Sequence, residues 1–253
     1  MKKIVFITGA TSGFGEACAY TFAANNYHLI LNGRRFERLQ TLQENLKEKF
    51  KTESYLLPFD VQAQEAVFRS INTLPDEWQN IDVLINNAGL ALGRDLFDEG
   101  DLKDWDTMID TNVKGLLYVS KAVVPLMIKN KRGHIINLGS VAGKEVYERG
   151  NVYCASKFAV DGITKAMRVD LLQHKIKVTA IHPGAAETEF ALVRFKGEQE
   201  KAKKTYEGYQ PLSAQDVADI IYYTASLPPH VCVNDLVVTS IYQANSIYFN
   251  KDN

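Results

Sequence analysis

The chain contains 253 residues, of which 46% are hydrophobic and 23% are charged, and its formal net charge is -1. This composition is typical of a soluble globular protein, and the near-neutral charge gives no electrostatic case for a nucleic-acid or anionic-membrane partner. The length suits one large α/β domain, here interpreted as spanning 1–253, and less commonly two small ones.

Short apolar runs alternate with longer helical stretches along the chain. Seven runs predict buried strands: Ile4–Thr8, His28–Asn32, Ser54–Pro58, Val83–Asn86, His134–Leu138, Lys177–Ile181 and Asp235–Thr239. Six stretches between them predict helices: Gly13–Asn25, Arg35–Phe50, Ala63–Thr73, Trp105–Lys129, Val152–His174 and Ser213–Ser226. This alternation predicts a single-domain, Rossmann-like α/β fold with a doubly wound parallel sheet of about seven strands and helices on both faces.

A glycine-rich turn follows the first predicted strand. It reads Thr8-Gly-Ala-Thr-Ser-Gly-Phe-Gly, which differs from the Gly-x-Gly-x-x-Gly spacing. Glycine permits positive φ and a close approach of the backbone to a pyrophosphate, whose charge is stabilised by the amino end of the following helix. Close packing without a ligand is the alternative, but the position after the first strand favours a dinucleotide. The candidate cofactor-binding residues in this turn are Gly9, Thr11, Ser12, Gly13, Phe14 and Gly15.

The end of the second predicted strand indicates which dinucleotide binds. A site for NAD needs a carboxylate here for the ribose 2′-hydroxyl, but the sequence places Gly33 at that position, followed by Arg34 and Arg35. Two guanidinium groups suit the 2′-phosphate of NADP, which they can hold with bidentate bonds. The alternative makes both arginines solvated first residues of the next helix, where a cation opposes the helix dipole. The sequence therefore predicts NADP as the cofactor.

Tyr153 and Lys157 are four residues apart on a predicted helix, and Ser140 precedes them by 13 residues. Residues at i and i+4 lie on the same face of a helix, where an ammonium group within about 4–6 Å can lower the pKa of a phenol by 1–3 units. Such a tyrosine can exchange a proton with an alcohol or carbonyl oxygen, and a serine hydroxyl can hydrogen-bond the same oxygen. Ordinary surface packing is the alternative for the pair taken alone.

Two further segments fall outside the regular alternation. Residues 187–210 form a long, charged interval after the sixth predicted strand. A solvated loop is one interpretation, and a mobile lid over the site is favoured because long loops at the carboxyl ends of parallel strands carry function. Residues 240–253 form a C-terminal tail with two tyrosines and a phenylalanine, which are residues that anchor interfaces.

The three cysteines, Cys18, Cys154 and Cys232, are far apart and form no Cys-x-x-Cys pair. Their spacing predicts buried thiols in a reducing compartment and gives no support for a disulfide framework or a metal site. The apolar run after the first three residues is too short for a signal peptide, and no apolar run approaches the length that spans a bilayer. The sequence predicts a cytoplasmic protein with no membrane partner.

Seven motifs occur in one order along the chain. They are Thr8-Gly-x-x-x-Gly-x-Gly, Asp60-Val61, Asn86-Asn-Ala-Gly, Asn112 within Thr111-Asn-Val-Lys-Gly, Ser140, Tyr153-x-x-x-Lys157 and Pro183-Gly-Ala-Ala-Glu-Thr188. In this order and over essentially its whole length, the chain resembles the short-chain dehydrogenases/reductases. The resemblance implies an oxidoreductase that acts on CH-OH groups with a nicotinamide cofactor.

The resemblance also implies a role for each matching residue. It makes Tyr153 the acid/base, Ser140 the group that steadies the reacting oxygen, and Lys157 the residue that holds the nicotinamide ribose and lowers the tyrosine pKa. Asn112 would support a proton-relay water, unless it bonds its own backbone. The remaining implied cofactor contacts are Asp60 and Val61 beside the adenine, Asn87, Ala88 and Gly89 under the cofactor, and Pro183, Gly184 and Thr188 at the nicotinamide. For Asp60 the alternative is an N-cap of the next helix.

Within the family, the chain is most similar to the NADP-dependent 3-hydroxy acid dehydrogenases that oxidise serine, allo-threonine and 3-hydroxyisobutyrate-type compounds. The similarity lies in Gly33-Arg-Arg, in Asn86–Gly93, in Asp106–Asn112 and in the stretches 188–190 and 193–197. It implies a small hydroxy acid substrate, whose carboxylate Arg194 would bind unless that arginine is only an exposed loop residue. Glu148 and Arg149 are charged departures close to Tyr153, and the sequence leaves open whether they face the substrate.

Two rival functions follow from the same residues. A reductase of carbonyl compounds or of carrier-bound 3-ketoacyl thioesters would use the same catalytic groups, but the near-neutral composition gives little support for an acidic carrier protein. A non-catalytic NADP-sensing regulator would have no need for serine, tyrosine and lysine at catalytic spacing. The family resemblance further predicts a homotetramer.

Overall fold

The computed structural model describes residues 2–252, in which a seven-stranded parallel sheet carries helices on both faces. The strands of this sheet are β1 (Ile4–Ile7), β2 (His28–Asn32), β3 (Ser54–Leu57), β4 (Ile81–Asn86), β5 (His134–Leu138), β6 (Lys177–Pro183) and β9 (Asp235–Val238). Their order across the sheet is β3-β2-β1-β4-β5-β6-β9. Two short strands, β7 (Ala186–Glu187) and β8 (Leu212–Ser213), form a separate parallel pair. The predicted seven-stranded doubly wound sheet is confirmed.

The helices divide between the two faces of the sheet. They are α1 (Gly13–Ala24), α2 (Phe36–Phe50), α3 (Gln64–Asn72), α4 (Leu102–Ile109), α5 (Leu116–Lys129), α6 (Asn151–Asp170), α7 (Glu189–Arg194), α8 (Gln199–Lys204) and α9 (Ala214–Ser226). Alternate residues of a strand point to opposite faces. In β1, Val5 and Ile7 pack in the cluster under α1, α2 and α9, whereas Ile4 and Phe6 pack in the cluster under α3 and α5. Apolar residues on both faces of the strand therefore contribute to two hydrophobic cores, one on each side of the sheet.

Two predicted elements differ from the structure. The stretch Trp105–Lys129, expected as one helix, is α4 and α5 joined by a wide π-type turn at Asp110–Gly115. The helix expected over Val152–His174 ends at Asp170, and a short 3₁₀ turn follows. No helix formed by residues 2–252 is long and apolar enough to cross a membrane.

Residues 187–210 are not a structureless loop. They contain the end of β7 followed by α7 and α8, and several of their side chains line the cleft described below. Residues 240–252 fold back on the same chain, where the Phe249 ring lies 5.1 Å from the Tyr209 ring and the Asp252 N–H donates to the Gly208 carbonyl at 2.6 Å. The last residue of the predicted tail, Asn253, lies outside the described residues.

Candidate active site

A cleft of about 890 Å³ opens at the carboxyl ends of the parallel strands. Its lining includes Gly9 after β1, Gly33 after β2, Asn87 after β4, Gly139 after β5 and Gly184 after β6. The strand order reverses between β1 and β4, and ligands of open α/β sheets bind in the crevice at this switch point. The topology therefore brings residues that are far apart in sequence to one site.

The glycine-rich turn connects β1 to α1 along one wall of the cleft. Gly9 and Gly13 have φ values of +64° and +55°, and an added Cβ on Gly15 would lie 2.2 Å from the Gly9 carbonyl oxygen. Residues other than glycine rarely adopt positive φ, and a side chain at position 15 would clash, which explains why glycine occupies these positions. Asn87 Nδ2 donates to the carbonyls of Thr8 (2.9 Å) and Gly9 (3.1 Å), so the residues after β4 hold the turn in place.

Arg34 and Arg35 line the cleft at the end of β2. Arg34 Nη1 lies 3.5 Å from Asp60 Oδ2, and 65% of the Arg34 side chain is exposed. Arg35 Nη2 donates to Thr11 Oγ1 at 3.1 Å and to Ser12 Oγ at 3.3 Å. The second arginine is therefore tied to the glycine-rich turn instead of extending freely into solvent.

Asp60 and Val61 line the cleft beyond β3. Asp60 Oδ1 accepts a hydrogen bond from the Gln62 N–H at 3.0 Å. Helix α3 begins at Gln64 with Ala63 as its N-cap residue, so Asp60 is not the N-cap of that helix. The carboxylate instead stabilises the turn before the helix.

Ser140 follows β5, and Tyr153 and Lys157 occupy the first two turns of α6. All three side chains line the cleft, where Tyr153 is 9% and Lys157 is 7% exposed. Ser140 Oγ accepts from the Ala142 N–H at 3.1 Å, which fixes the hydroxyl at the start of a 3₁₀ turn. Lys157 Nζ donates to the Leu138 carbonyl at 2.8 Å, so the ammonium group is held at the carboxyl end of β5.

The electrostatics of the pair differ from the sequence expectation. Burial raises the pKa of Tyr153 above its usual value, and the Tyr147 hydroxyl acts in the same direction, whereas a hydrogen bond with Ser140 and the charge of Arg194 lower it. Burial also lowers the pKa of Lys157 to about 8. The Lys157 ammonium lies 6.0 Å from the Tyr153 ring centroid, and removal of the phenol from water outweighs it. The tyrosine is therefore a phenol, and not a phenolate, at neutral pH.

Asn112 lies in the wide turn between α4 and α5, and its side chain is buried. Its Oδ1 accepts from the Leu90 N–H at 2.8 Å, and its Nδ2 donates to the Leu90 carbonyl at 2.8 Å and to Ser156 Oγ at 3.0 Å. The amide thus joins the segment after β4 to α6. The alternative in which Asn112 bonds its own backbone is wrong, because its partners belong to other elements.

The remaining predicted cofactor contacts belong to the wall of the cleft that follows β6. Pro183 ends β6, Gly184 follows it, and Thr188 precedes α7; all three line the cleft. An added Cβ on Gly184 would lie 2.2 Å from Gln243 Oε1, which itself accepts from the Ala185 N–H at 2.8 Å. The tail thus packs against this wall through Gln243, a contact that the sequence analysis does not predict.

Arg194 lies next to the predicted catalytic tyrosine. Its guanidinium carbon is 5.6 Å from the Tyr153 ring centroid and 5.5 Å from that of Tyr147. Arg194 Nη1 donates to the Tyr147 hydroxyl at 3.0 Å, and Nε donates to the Gly93 carbonyl at 3.3 Å. A cation therefore stands beside Tyr153 in the cleft, and the alternative of a freely exposed loop arginine is wrong.

Sequence reasoning missed several residues in this part of the cleft. Tyr147, Phe190 and Arg94 line the cleft beside Arg194, with the Arg94 guanidinium 6.0 Å from the Tyr147 ring centroid. No motif marks Arg94 or Tyr147, because only the fold brings their loops together. Of the two charged residues left open, Glu148 lines the cleft, whereas Arg149 is an exposed turn residue with a φ of 62°.

A charged cluster lies behind Ser140. His182 Nδ1 is 3.2 Å from the Ser140 carbonyl oxygen, and its Nε2 is 3.1 Å from Asp235 Oδ1. Lys144 Nζ lies 2.9 Å from Asp161 Oδ1 and also pairs with Asp235. Burial, followed by the Lys144 charge, lowers the pKa of His182, so the ring is neutral at pH 7. The ammonium group occupies the position between the carboxylates that a metal ion would need.

Comparisons with known proteins find similarity over most of the chain. The sequence profile of the short chain dehydrogenases matches residues 3–199. An NADP-dependent 3-hydroxy acid dehydrogenase of Salmonella typhi is 45% identical over 242 residues, which are 95% of this chain and 96% of that one. Sulfoacetaldehyde reductase 2 of Chromohalobacter salexigens is 47% identical over 249 residues, 98% of each chain.

Solved structures give the same result. The closed form of a serine dehydrogenase complexed with NADP+ superposes with a TM-score of 0.91 at 43% identity, and the match covers 96% of this chain and 97% of that one. The profile alone spans more than half of the chain, including the glycine-rich turn, Ser140, Tyr153 and Lys157. The chain therefore belongs to the short-chain dehydrogenase/reductase family.

Proposed function

We propose that this protein is an NADP-dependent oxidoreductase that transfers a hydride between the nicotinamide and the 3-hydroxyl carbon of a small 3-hydroxy acid of the serine, allo-threonine or 3-hydroxyisobutyrate type. The observation that carries the proposal is the presence of Ser140, Tyr153, Lys157 and Arg194 in one cleft. Oxidation of a hydroxyl-bearing carbon uses the first three groups, and binding of a carboxylate near that carbon uses the fourth. The relatives named for 3-hydroxy acid and serine dehydrogenation support this reading.

The dinucleotide end of the cleft fits NADP. The glycine-rich turn keeps its backbone open to a pyrophosphate, and Ser12 at the start of α1 makes no side-chain cap hydrogen bond, so the first amides of that helix are open to an anion. Arg34 and Arg35 follow β2 and line the cleft, so two guanidinium groups are available to a 2′-phosphate there. Arg38, in the first turn of α2, pairs with the same carboxylate as Arg35. When bound, the cofactor accepts or donates the hydride, and the protein supplies position and electrostatics.

The chain's own residues handle the proton. In carbonyl reduction, the Tyr153 phenol donates its proton to the carbonyl oxygen as that oxygen gains charge, and Ser140 Oγ hydrogen-bonds the same oxygen. In alcohol oxidation, the Tyr153 oxygen must first lose its proton, and then accepts the substrate's hydroxyl proton. Because burial raises the pKa of Tyr153, the rate of oxidation is expected to rise with pH into the alkaline range.

Lys157 and Asn112 support this step. The Lys157 ammonium donates to the Leu138 carbonyl and lines the cleft beside Tyr153, where it holds the nicotinamide ribose and stabilises a developing phenolate. Asn112 fixes the Leu90 segment against α6, and we infer that this wide turn leaves room for a proton-relay water. Residues 187–210, which carry Arg194, act as a lid over the substrate.

A second candidate differs only in the anionic group of the substrate. The relative at 47% identity is named a sulfoacetaldehyde reductase, and a sulfonate is an anion that Arg194 could bind as it binds a carboxylate. A carrier-bound thioester reductase or a non-catalytic NADP sensor has less support, since neither needs an arginine beside the catalytic tyrosine. The assembly is proposed to be a homotetramer in the cytoplasm.

The test is a steady-state assay that follows NADPH absorbance in both directions. Serine, allo-threonine, 3-hydroxyisobutyrate and sulfoacetaldehyde are compared with neutral alcohols and ketones, with NAD(H) as the cofactor control. Tyr153→Phe is expected to lower turnover by about 10²- to 10⁴-fold and to leave NADP binding almost unchanged. Near-normal turnover in Tyr153→Phe would refute the acid/base assignment, and NADP binding with no turnover of any compound would favour a sensor.

A further inference from the structure

Glu189, the first residue of α7, reaches across the cleft to the arginines at the dinucleotide end. Its Oε1 lies 3.0 Å from Arg38 Nη1, and its Oε2 lies 3.2 Å from the same nitrogen and 3.5 Å from Arg35 Nη1. About half of each of these three side chains is exposed. A carboxylate of the lid thus pairs with Arg35, which lines the cleft where a 2′-phosphate is expected, and with Arg38 beside it.

The donors of these arginines are already divided between partners. Arg35 uses Nη2 for the glycine-rich turn and Nη1 for Glu189, and Arg38 directs Nη1 to both Glu189 oxygens. A second carboxylate, Glu16, is close enough that the Glu189 charge adds to burial in raising its pKa. The Glu16 carboxylate therefore also lies near these arginines, although only Glu189 pairs with them.

A phosphate monoester carries about 1.5 to 2 negative charges at pH 7. A carboxylate and a phosphate that pair with the same cations lie close together and repel each other. One of the two anions must therefore leave the cations when the other binds. The 2′-phosphate and Glu189 consequently compete for Arg35 and Arg38. NAD has a hydroxyl in place of this phosphate, so it brings no such charge to Glu189.

We infer that Glu189 is a specificity-determining residue, which neutralises Arg35 and Arg38 in the free enzyme and is displaced from them by the 2′-phosphate. The inference depends on the proposed function, because it takes NADP as the cofactor. Since Glu189 begins the helix that ends at Arg194, its displacement links recognition of the phosphate to the lid over the substrate. Glu189 also limits how tightly NADP is held, and this favours release of the cofactor after turnover.

The experiment measures dissociation constants of NADP and NAD by calorimetry for the wild type, Glu189→Gln and Glu198→Gln. Glu198 is a matched control, because it is an exposed lid carboxylate whose partner is Lys201 and not a cleft arginine. Glu189→Gln is expected to lower the NADP dissociation constant by about 3- to 10-fold and to change that of NAD less than twofold, with the difference shrinking at high salt. Glu198→Gln is expected to change neither.

A second measurement tests the link to the lid. Adenosine 2′,5′-bisphosphate carries the 2′-phosphate without the nicotinamide, and adenosine 5′-phosphate lacks it. In the wild type, trypsin is expected to cleave within 187–210 at a different rate with the bisphosphate than with the monophosphate, and Glu189→Gln should abolish that difference.

The outcomes separate this inference from the proposed function. A wild type that binds NAD as tightly as NADP contradicts the proposed cofactor. If the wild type prefers NADP, an unchanged or weaker NADP affinity in Glu189→Gln overturns the role of Glu189 alone. Equal tightening of NADP and NAD would overturn it as well, since the effect would not depend on the phosphate.

Discussion

Lys157 is a single residue that the candidate active site uses at a cost to the stability of the folded protein. Its ammonium group is buried in the lining of the cleft, and burial lowers its pKa from the ordinary value of 10.5 to about 8. A lysine with a depressed pKa binds its proton more tightly in the unfolded chain than in the native one. Stability from this group is therefore complete above about pH 10.5 and is lost as the pH falls toward 8. At neutral pH the charged lysine lowers the free energy of unfolding.

Lys157→Met is consequently expected to be more stable than the wild type at pH 7, by about 1–3 kcal/mol, because the desolvated charge is removed while the Leu138 carbonyl loses one hydrogen bond. The same variant should lose most of its turnover. Urea unfolding at pH 7 and pH 10 checks the prediction, since the advantage of the variant should shrink at the higher pH. A variant that is less stable at pH 7 would show that the ammonium group contributes net stability.

Arg194 makes a second prediction at this scale. Its guanidinium carbon stands 5.6 Å from the Tyr153 ring centroid, where we propose that it binds the substrate anion. Replacing it by glutamine removes a charged hydrogen bond of about 1.5–3 kcal/mol, so KM for hydroxy acids should rise by about 10- to 100-fold. KM for neutral alcohols should change little. Arg149→Gln is the control, since Arg149 is exposed and is not among the residues that line the cleft. Equal effects of Arg194→Gln on acids and neutral alcohols would contradict the assignment.

The sequence predicts a site residue when that residue belongs to a motif. It does not predict a contact between residues that only the fold brings together. Tyr153 and Lys157 at i and i+4 predict a shared helix face, and both side chains line the cleft. The partner of Lys157, the Leu138 carbonyl, belongs to the end of another strand, so no spacing in the sequence announces it. For the same reason, burial of the Tyr153 phenol and its effect on the pKa could not be derived from the neighbouring charge alone.

At the scale of elements, the charged cluster behind Ser140 connects α6 to β6, β9 and the turn after β5. Asp161 is its centre, because the carboxylate accepts from Lys144 and from Lys165 and lies 3.7 Å from His182 Nε2. Only 10% of the Asp161 side chain is exposed. Removing a buried partner leaves charges without compensation, which costs far more than losing a surface ion pair.

Asp161→Asn is therefore expected to lower the free energy of unfolding by about 2–4 kcal/mol. It should also lower turnover, because the cluster supports the Ser140 carbonyl through His182. Asp170→Asn on the same helix is the control, since Asp170 is exposed, and a change within about 0.5 kcal/mol is expected there. Chemical unfolding of both variants measures the difference. Similar small effects for the two would mean that the cluster contributes no more than surface charges do.

The elements themselves were predictable where apolar runs and turns are clear. All seven strands of the main sheet coincide with predicted runs to within a few residues. The interior strands read as continuous apolar segments because they are buried on both faces. The wide turn at Asp110–Gly115 was missed, since a single π-type turn hardly changes the helical periodicity of the stretch around it. Strands β7 and β8 were missed because two-residue strands leave no pattern.

At the scale of the whole molecule, an apolar stripe along α6 is exposed in the described chain. Phe158, Gly162, Ala166 and Val169 recur at helical spacing along α6, and all are exposed. Leu117 at the start of α5 is exposed as well, at 40%. Contiguous exposed apolar surface on a folded chain marks an interaction site. The unpaired outer edge of β9, where Val237 is 54% exposed, is a second such surface.

These exposed apolar surfaces are candidate contacts of the predicted homotetramer, and the prediction can be tested. Light scattering is expected to give a mass four times that of one chain. Ala166→Glu places a charge in the middle of the α6 stripe, where two copies of the helix would meet, and should reduce the assembly to dimers. Ala24→Glu, the same change at an exposed alanine that ends α1, should leave the tetramer intact. A monomeric wild type would contradict the prediction, and a tetrameric Ala166→Glu would show that the contact lies away from α6.

Because the stripe lies on the helix that carries Tyr153 and Lys157, dissociation should also lower turnover. A dimer with full activity would mean that the interface does not support the site.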